Sequence, residues 1–329
     1  EDNLIKLINS LNIIDYPKST YEILFVDDES TDNSVYLIKK QLSKEIDYKI
    51  IKNIRHSNSP KKDAIETAIK KAKYSWIITT DADCEVSKNW LQILQAKIND
   101  SNAVFIAMPV NYKANNSFLE QFQKIDFSSL IGSTIGSFGQ NKPIMCNGAN
   151  LCYNKDVFNQ VNGYENNNNI ASGDDIFLME KMYKNYPNRV EFLKSFGTTV
   201  YTKPVNNLHD LIQQRIRWAS KTSSTKNSWV KIIGLIVFLF NLLISISILW
   251  YGYLCIKNIE STFFIFGIIL IIKMILDFWL LTKTYHFLKE KLKWQIYFIV
   301  ALIHPYFICS IPILAAFKKY KWKERMFNK

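Results

Sequence analysis

Three pairs of acids in the first 180 residues have the types and spacing for chemistry: Asp27 and Asp28 in FVDD, Asp81 and Asp83 in TTDAD, and Asp174 and Asp175 in SGDD. The first two pairs follow runs of strand-forming residues, YEILFV and WIITT. Alternation along a strand would send Asp81 and Asp83 to the same side, and carboxylates that close are unfavourable unless something positive lies between them. A divalent cation meets that need, because hard oxygen ligands with an open coordination sphere suit Mg2+ or Mn2+ holding a diphosphate. The sequence has no GxGxxG or GxxxxGK[ST] loop to cradle phosphates through backbone amides. Metal and cationic side chains must do that work instead.

The elements that would position these acids alternate along the chain. NLIKLINSLNII (3–14) has helical spacing, YEILFVDD (21–28) reads as a strand, and STDNSVYLIKKQL (30–42) opens on cap residues and continues as a helix. YKIIKNI (48–54) is a strand, PKKDAIETAIKKAK (60–73) a helix, and WIITTDAD (76–83) the next strand. Strand and helix in alternation predict an α/β domain with a mostly parallel sheet covered by helices on both faces. Ligands of such sheets bind beyond the carboxyl ends of the strands, where Asp27/Asp28 and Asp81/Asp83 fall.

The 329 residues suit one large domain plus an appendage. The formal charge of +12 is concentrated towards the C-terminal half among long apolar runs, which suits an anionic membrane surface. No zinc-finger or RNP-like signature accompanies it, so nucleic acid is not the expected partner. The five cysteines show no paired spacing and read as reduced thiols. The composition changes at about residue 228, after which come apolar runs at 229–254, 261–281 and 294–317. Each is long enough to cross a hydrocarbon core of about 30 Å. Lying late in the chain, none of them reads as a signal peptide. ENNNNI (165–170) is expected to be a solvated loop.

Four blocks in order then carry a resemblance: FVDDESTDNS (25–34), TTDADC (79–84), CNGANLCYNKDVFNQVNGY (146–164) with SGDDIFL (172–178), and QQRIRW (213–218). The sequence resembles a membrane-bound family 2 glycosyltransferase, a hexosyltransferase type of GT-A fold, over nearly the whole chain. HPYFICS and the WKER tail are similar to ceramide-glucosyltransferase-like members, and QxxRW is shared with polysaccharide synthases. The resemblance implies a GT-A domain over 1–222 and a membrane domain over 223–329. It also implies that Asp27 and Asp28 contact the base and ribose of the nucleotide. Asp83 would be the direct metal ligand, with Asp81 nearer the ribose or sugar. Asp175 matches the general base and Asp174 its acidic neighbour. Gln214, Arg217 and Trp218 would close over the donor diphosphate and border the acceptor, and Lys62 resembles a lysine of the donor site. Family members begin with a hydrophobic first strand, and EDNLIKL opens just after it, so a truncated sequence is expected.

The chemistry requires the same residue types. An acceptor hydroxyl that attacks the anomeric carbon from the face opposite the nucleotide needs a carboxylate to take its proton, worth about 10² to 10⁴ in rate. The leaving UDP needs positive charge, which a cation at Asp83 with Arg217 would supply. Each motif also has a plainer reading. VDDES and GDD suit helix starts, TDADC a solvated turn, and Arg217 with Trp218 an interfacial pair before a membrane span.

The expected activity is inverting transfer from a UDP-sugar to a lipid, lipid-linked or glycan acceptor at the cytosolic face of the membrane. A processive synthase working with partner subunits and a catalytically silent binding protein are the alternatives. The positive-inside rule applied to the 282–294 loop and the basic tail favours a segment 294–317 broken at Pro305 and Pro312 over a full third crossing. Lys273 and Asp277, one helical turn apart, are expected to pair.

Overall fold

The computed structural model describes residues 2–165, 173–225, 227–257, 263–317, 320–322 and 325–327. ENNNNI beyond Glu165, the Ser172 end of SGDD and much of the basic tail lie outside the described residues. The chain forms two compact units, Glu1–Lys113 with Ser133–Lys203, and Ala114–Gly132 with Pro204–Lys329.

In the first unit, α1 (Asp2–Asn12) buries Leu4, Leu7, Ile8 and Leu11, the i, i+3, i+4, i+7 stripe of an amphipathic helix. It is followed by β1 (Glu22–Asp27), α2 (Ser34–Gln41), β2 (Asp47–Lys52), α3 (Pro60–Lys71) and β3 (Trp76–Thr79). The predicted alternation is present in this stretch. β1 and β2 pair in parallel, with Phe25 opposite Ile50. α3 begins on Pro60, whose missing N–H is no loss in a first turn.

After α4 (Trp90–Asn99), β4 (Phe105–Ala107) and β5 (Val110–Tyr112) comes the long α5 (Phe118–Gly139), whose residues are divided between the units. Then follow β6 (Leu151–Asn154), α6 (Lys155–Gln160), α7 (Asp174–Asn185), β7 (Val190–Phe192) and β8 (Val200–Thr202). The second sheet has the order β3-β6-β4-β7. β6 runs antiparallel to both β3 and β4, while β4–β7 and β5–β8 are parallel. The sheet is therefore mixed and not mostly parallel. β6 follows a long helix and a loop instead of a short crossover, so nothing constrains its direction to that of β3. The core on this sheet gathers Phe105, Tyr153, Phe158, Tyr164, Leu178 and Met179. Burying a Phe- or Leu-sized side chain contributes about 1.5–3 kcal/mol.

The second unit is helical: α8 (Leu208–Ser224), α9 (Ser228–Ile256), α10 (Phe263–Phe287) and α11 (Trp294–Phe317), then a short hairpin of β9 (Tyr320–Trp322) and β10 (Arg325–Phe327). The first half of α5 belongs here, because Phe122 and Ile125 pack with Leu211, Leu281, Tyr285, Tyr297 and Val300. The helices α9 and α11 are long and apolar enough to cross a membrane by length and composition. Large side chains such as Leu239, Trp250, Ile275, Trp279 and Leu302 are exposed on α9, α10 and α11. An apolar exposed surface of this kind marks contact with lipid or protein.

The expected break at Pro305 and Pro312 is absent: both lie inside one continuous α11. Packing of its inner face, including Val300, Ala301, Cys309 and Ile311, offsets the two missing donors. Lys273 and Asp277 form the ion pair their spacing predicts.

One buried polar cluster ties three of these helices. Asp126 of α5 accepts from Arg215 Nε of α8 at 2.9 Å and lies 2.9 Å from His304 Nε2 of α11. Burial alone would raise the Asp126 pKa, but the Arg215 guanidinium and the His304 bond hold it down to about 2. A folded-state value below the usual aspartate value of about 3.9 means that the pair stabilises fully above that pH, and the contribution is lost as pH falls towards 2. Acid unfolding should show this loss between about pH 4 and 2, and Asp126→Asn should remove that step.

Close packing supplies a second expectation. A Cβ on Gly132 of α5 would collide with Thr284 Oγ1 and stand 2.9 Å from Leu280 Cδ1, whereas one on Gly136 meets nothing within 4 Å. Gly132→Ala should destabilise by about 1–3 kcal/mol through overpacking. Gly136→Ala should stabilise by about 0.5–1 kcal/mol, as replacing an exposed helical glycine does. Thermal unfolding of the detergent-solubilised chain checks both signs.

Candidate active site

Asp81 and Asp83 do not lie on a strand. β3 stops at Thr79 and the chain turns through 82–83, closed by the Cys84 N–H donating to Asp81 O at 3.1 Å. Strand alternation therefore does not govern these two carboxylates. Asp81 faces Lys61, while Asp83 is exposed and accepts a weak bond from Cys84 Sγ at 3.8 Å. Burial first, then the Asp81 and Asp83 charges, push the Cys84 thiol pKa well up, so it stays protonated.

Positive charge does lie beside Asp81, and it comes from a side chain. Lys61 Nζ, in the first turn of α3, stands 2.8 Å from Asp81 Oδ1 and 3.2 Å from Asp174 Oδ2. Burial would lower the Lys61 pKa, but Asp174 and Asp81 outweigh it and raise the pKa, keeping the ammonium charged. The neighbouring Lys62, singled out in the sequence, is fully buried with its ammonium 5.4 Å from the Phe177 ring centroid. On a helix, adjacent residues point about 100° apart, so the two consecutive lysines leave α3 in different directions.

Asp174 and Asp175 form the first turn of α7 after Gly173, whose φ of 90° is a left-handed cap geometry that suits glycine. Both carboxylates are buried where a helix N-terminus favours negative charge. Asp175 Oδ2 accepts from the Gly148 N–H at 3.2 Å, and Thr79 Oγ1 donates to Gly148 O at 3.0 Å. Gly148 thus joins the end of β3 to the start of α7. A carboxylate there can take a proton from a hydroxyl, and Lys61 neutralises its acidic neighbour.

The first pair is held separately. Asp28 Oδ1 accepts from Asn53 Nδ2 and Arg55 Nε, both at 2.7 Å. Asp27 Oδ1 accepts from the Ser30 N–H at 3.0 Å, while the following helix starts later, at Ser34. Asn53 and Arg55 follow β2 in YKIIKNIR, a strand end with no motif to mark them. In the second unit, Gln214, Arg217 and Trp218 lie on α8; Gln214 Oε1 accepts from Arg215 Nη1, and the Trp218 ring is 6.0 Å from that of Phe127.

The oxygen donors of the Asp81–Asp83 turn suit a hard cation. Among the described residues no group of three or more His, Cys, Asp or Glu gathers as a protein-only cage. A cation here would fill its sphere with ligand oxygens and water, as Mg2+ commonly does.

A Cβ on Gly148 would stand 2.8 Å from Asp174 Oδ2 and 3.2 Å from Lys61 Nζ. Gly148→Ala should therefore spread the Lys61–Asp174 pair and destabilise the fold by about 1–3 kcal/mol. Chemical denaturation measures it, and wild-type stability would contradict this account of the cluster.

Known proteins resemble this chain in part of its sequence and in its fold. The family model described as Glycosyl transferase family 2 matches residues 1–161. Poly(ribitol-phosphate) beta-N-acetylglucosaminyltransferase TarS of Staphylococcus aureus is 29% identical over 103 residues, which is 31% of this chain and 18% of that protein. The match thus spans under a fifth of that relative's length. A crystal structure of S. aureus TarS aligns with TM-score 0.47 and 19% identity over 69% of this chain and 38% of that one. The mannosyltransferase PcManGT from Pyrobaculum calidifontis, solved in complex with GDP-Man and Mn2+, aligns with TM-score 0.53 and 13% identity over 93% of this chain and 84% of that chain. This likeness shows a shared α/β fold of GT-A type. Over residues 1–161, just under half of its length, the chain is similar to the glycosyltransferase domain of family 2.

Proposed function

We propose that this chain is an inverting, metal-dependent transferase that moves a sugar from a UDP-sugar to a lipid, lipid-linked or glycan acceptor at the cytosolic face of a membrane. The observation that carries this reading is the meeting of Asp81, Lys61 and Asp174, with Asp175 adjoining, because two separate acidic motifs converge on one cationic group. One motif can hold donor charge while the other takes a proton.

In this reading Asp175 is the general base, oriented by the Gly148 N–H. Asp174 is its acidic neighbour, and the Lys61 ammonium stands beside it. Asp83 and Asp81 would hold Mg2+ or Mn2+. When bound, the cation would supply Lewis-acid stabilisation of the departing diphosphate. Asp27 and Asp28 would contact the nucleoside, with Asp28 oriented by Asn53 and Arg55. Gln214, Arg217 and Trp218 keep the roles the resemblance gives them, at the donor diphosphate and the acceptor. The apolar exposed faces of α9, α10 and α11 support lipid contact and hence an integral membrane protein. A lipid acceptor fits that setting. The mannosyltransferase solved with Mn2+ supports a divalent cation, and the N-acetylglucosaminyltransferase relative supports transfer of a sugar.

The test is UDP release from a panel of UDP-sugars, including UDP-N-acetylglucosamine, by the solubilised chain, with and without Mn2+, Mg2+ and a lipid extract. Metal-dependent release that lipid stimulates with one donor is expected. Asp83→Ala should abolish metal-dependent UDP binding. Asp175→Asn should keep binding and lower the transfer rate by about 10² to 10⁴. Calorimetric titration of UDP against both variants separates the roles, and equal loss of binding would sink the division.

A further inference from the structure

A second polar cluster is more deeply buried than the first, and the reading above gives it no task. Asp126, Arg215 and His304 come from three helices of the second unit, and Asp126 and Arg215 are only 3% and 6% exposed. Arg215 Nη2 is 2.7 Å from Asp126 Oδ2, in addition to the Nε bond. Stability alone is a weak reason for such a pair, because apolar residues of similar volume often serve as well.

The contacts of Arg215 on its other side suggest a different reason. Its Nη1 donates to Gln214 Oε1, and its guanidinium lies 4.1 Å from the Trp218 ring centroid. Phe127, the residue after Asp126, packs on the same indole at 6.0 Å. The first and last side chains of QxxRW are thus both touched by a residue in one of its variable positions. A guanidinium suits this position: its planar fork pairs with a carboxylate while a face remains free to stack on an aromatic ring.

We propose that Arg215 is a positioning residue, anchored by Asp126 and His304, that fixes the orientations of Gln214 and Trp218. The activity arm of the test rests on the transferase reading; the fluorescence arm does not. Two variants of the full, detergent-solubilised chain separate positioning from folding. Arg215→Lys keeps the charge but loses the fork and the stacking plane. The double variant Asp126→Leu with Arg215→Met replaces the ion pair by apolar groups and so preserves folding.

The first readout is acrylamide quenching of Trp218 emission, taken as the difference between each protein and its Trp218→Phe counterpart. Quenching is expected to rise in both variants. The second is transfer kinetics: kcat should fall by about 10- to 100-fold, as small misplacements of positioned groups do, with donor KM within about threefold. A double variant with wild-type melting, raised quenching and lowered kcat supports positioning. Unchanged quenching in Arg215→Lys, or wild-type kcat in the stable double variant, overturns it. If the wild-type chain transfers no sugar, the transferase reading fails and quenching alone decides this one.

Discussion

The constraint on which the first unit turns is electrostatic: Asp81, Asp174 and Asp175 converge, and the Lys61 ammonium has to stand among them. Two unit charges 4 Å apart near a protein surface interact by about 4 kcal/mol, comparable to a large part of a domain's net stability. The ammonium turns that repulsion into attraction. It also links three local structures, the turn after β3, the start of α3 and the start of α7. Gly148 completes the arrangement, since a side chain there would enter the space of the Lys61–Asp174 pair.

The order of the early elements was legible because their hydrophobic periods differ cleanly. The stripe in α1, the apolar run of β1 and the Pro60 start of α3 each have one local interpretation. The direction of β6 was not legible, because pairing across a long connection leaves no local trace in LCYN. Crowding of Asp81 with Asp83 pointed to a cation between those two, whereas the Lys61 ammonium stands between Asp81 and Asp174; strand alternation was the wrong premise, since β3 ends at Thr79. Nor could spacing show that Lys61 would meet Asp81 and Asp174; that depends on the rotation of α3 about its axis, which tertiary packing fixes.

The second unit obeys a different balance. Its outer surface is apolar, and its interior holds charges where apolar packing would be expected. Asp126 satisfies two partners at once, so its desolvation is offset on both oxygens. The apolar runs made the helices easy to recognise and also hid this cluster. Asp126, Arg215 and His304 are far apart in sequence, and none belongs to a motif position that carries a named role. Pro305, beside His304, made a broken helix the natural reading, yet packing keeps α11 whole.

The two acids of GDD show how position separates chemically identical groups. Both sit at the N-terminus of α7, and both gain from the helix dipole. Asp174 is neutralised by Lys61, whereas Asp175 is held by the Gly148 N–H. Asp175 Oδ1 also accepts from the Ile176 N–H at 2.8 Å. One helix start thus ties Asp174 to the turn after β3 through Lys61 and Asp81, and Asp175 to the end of β3 through Gly148.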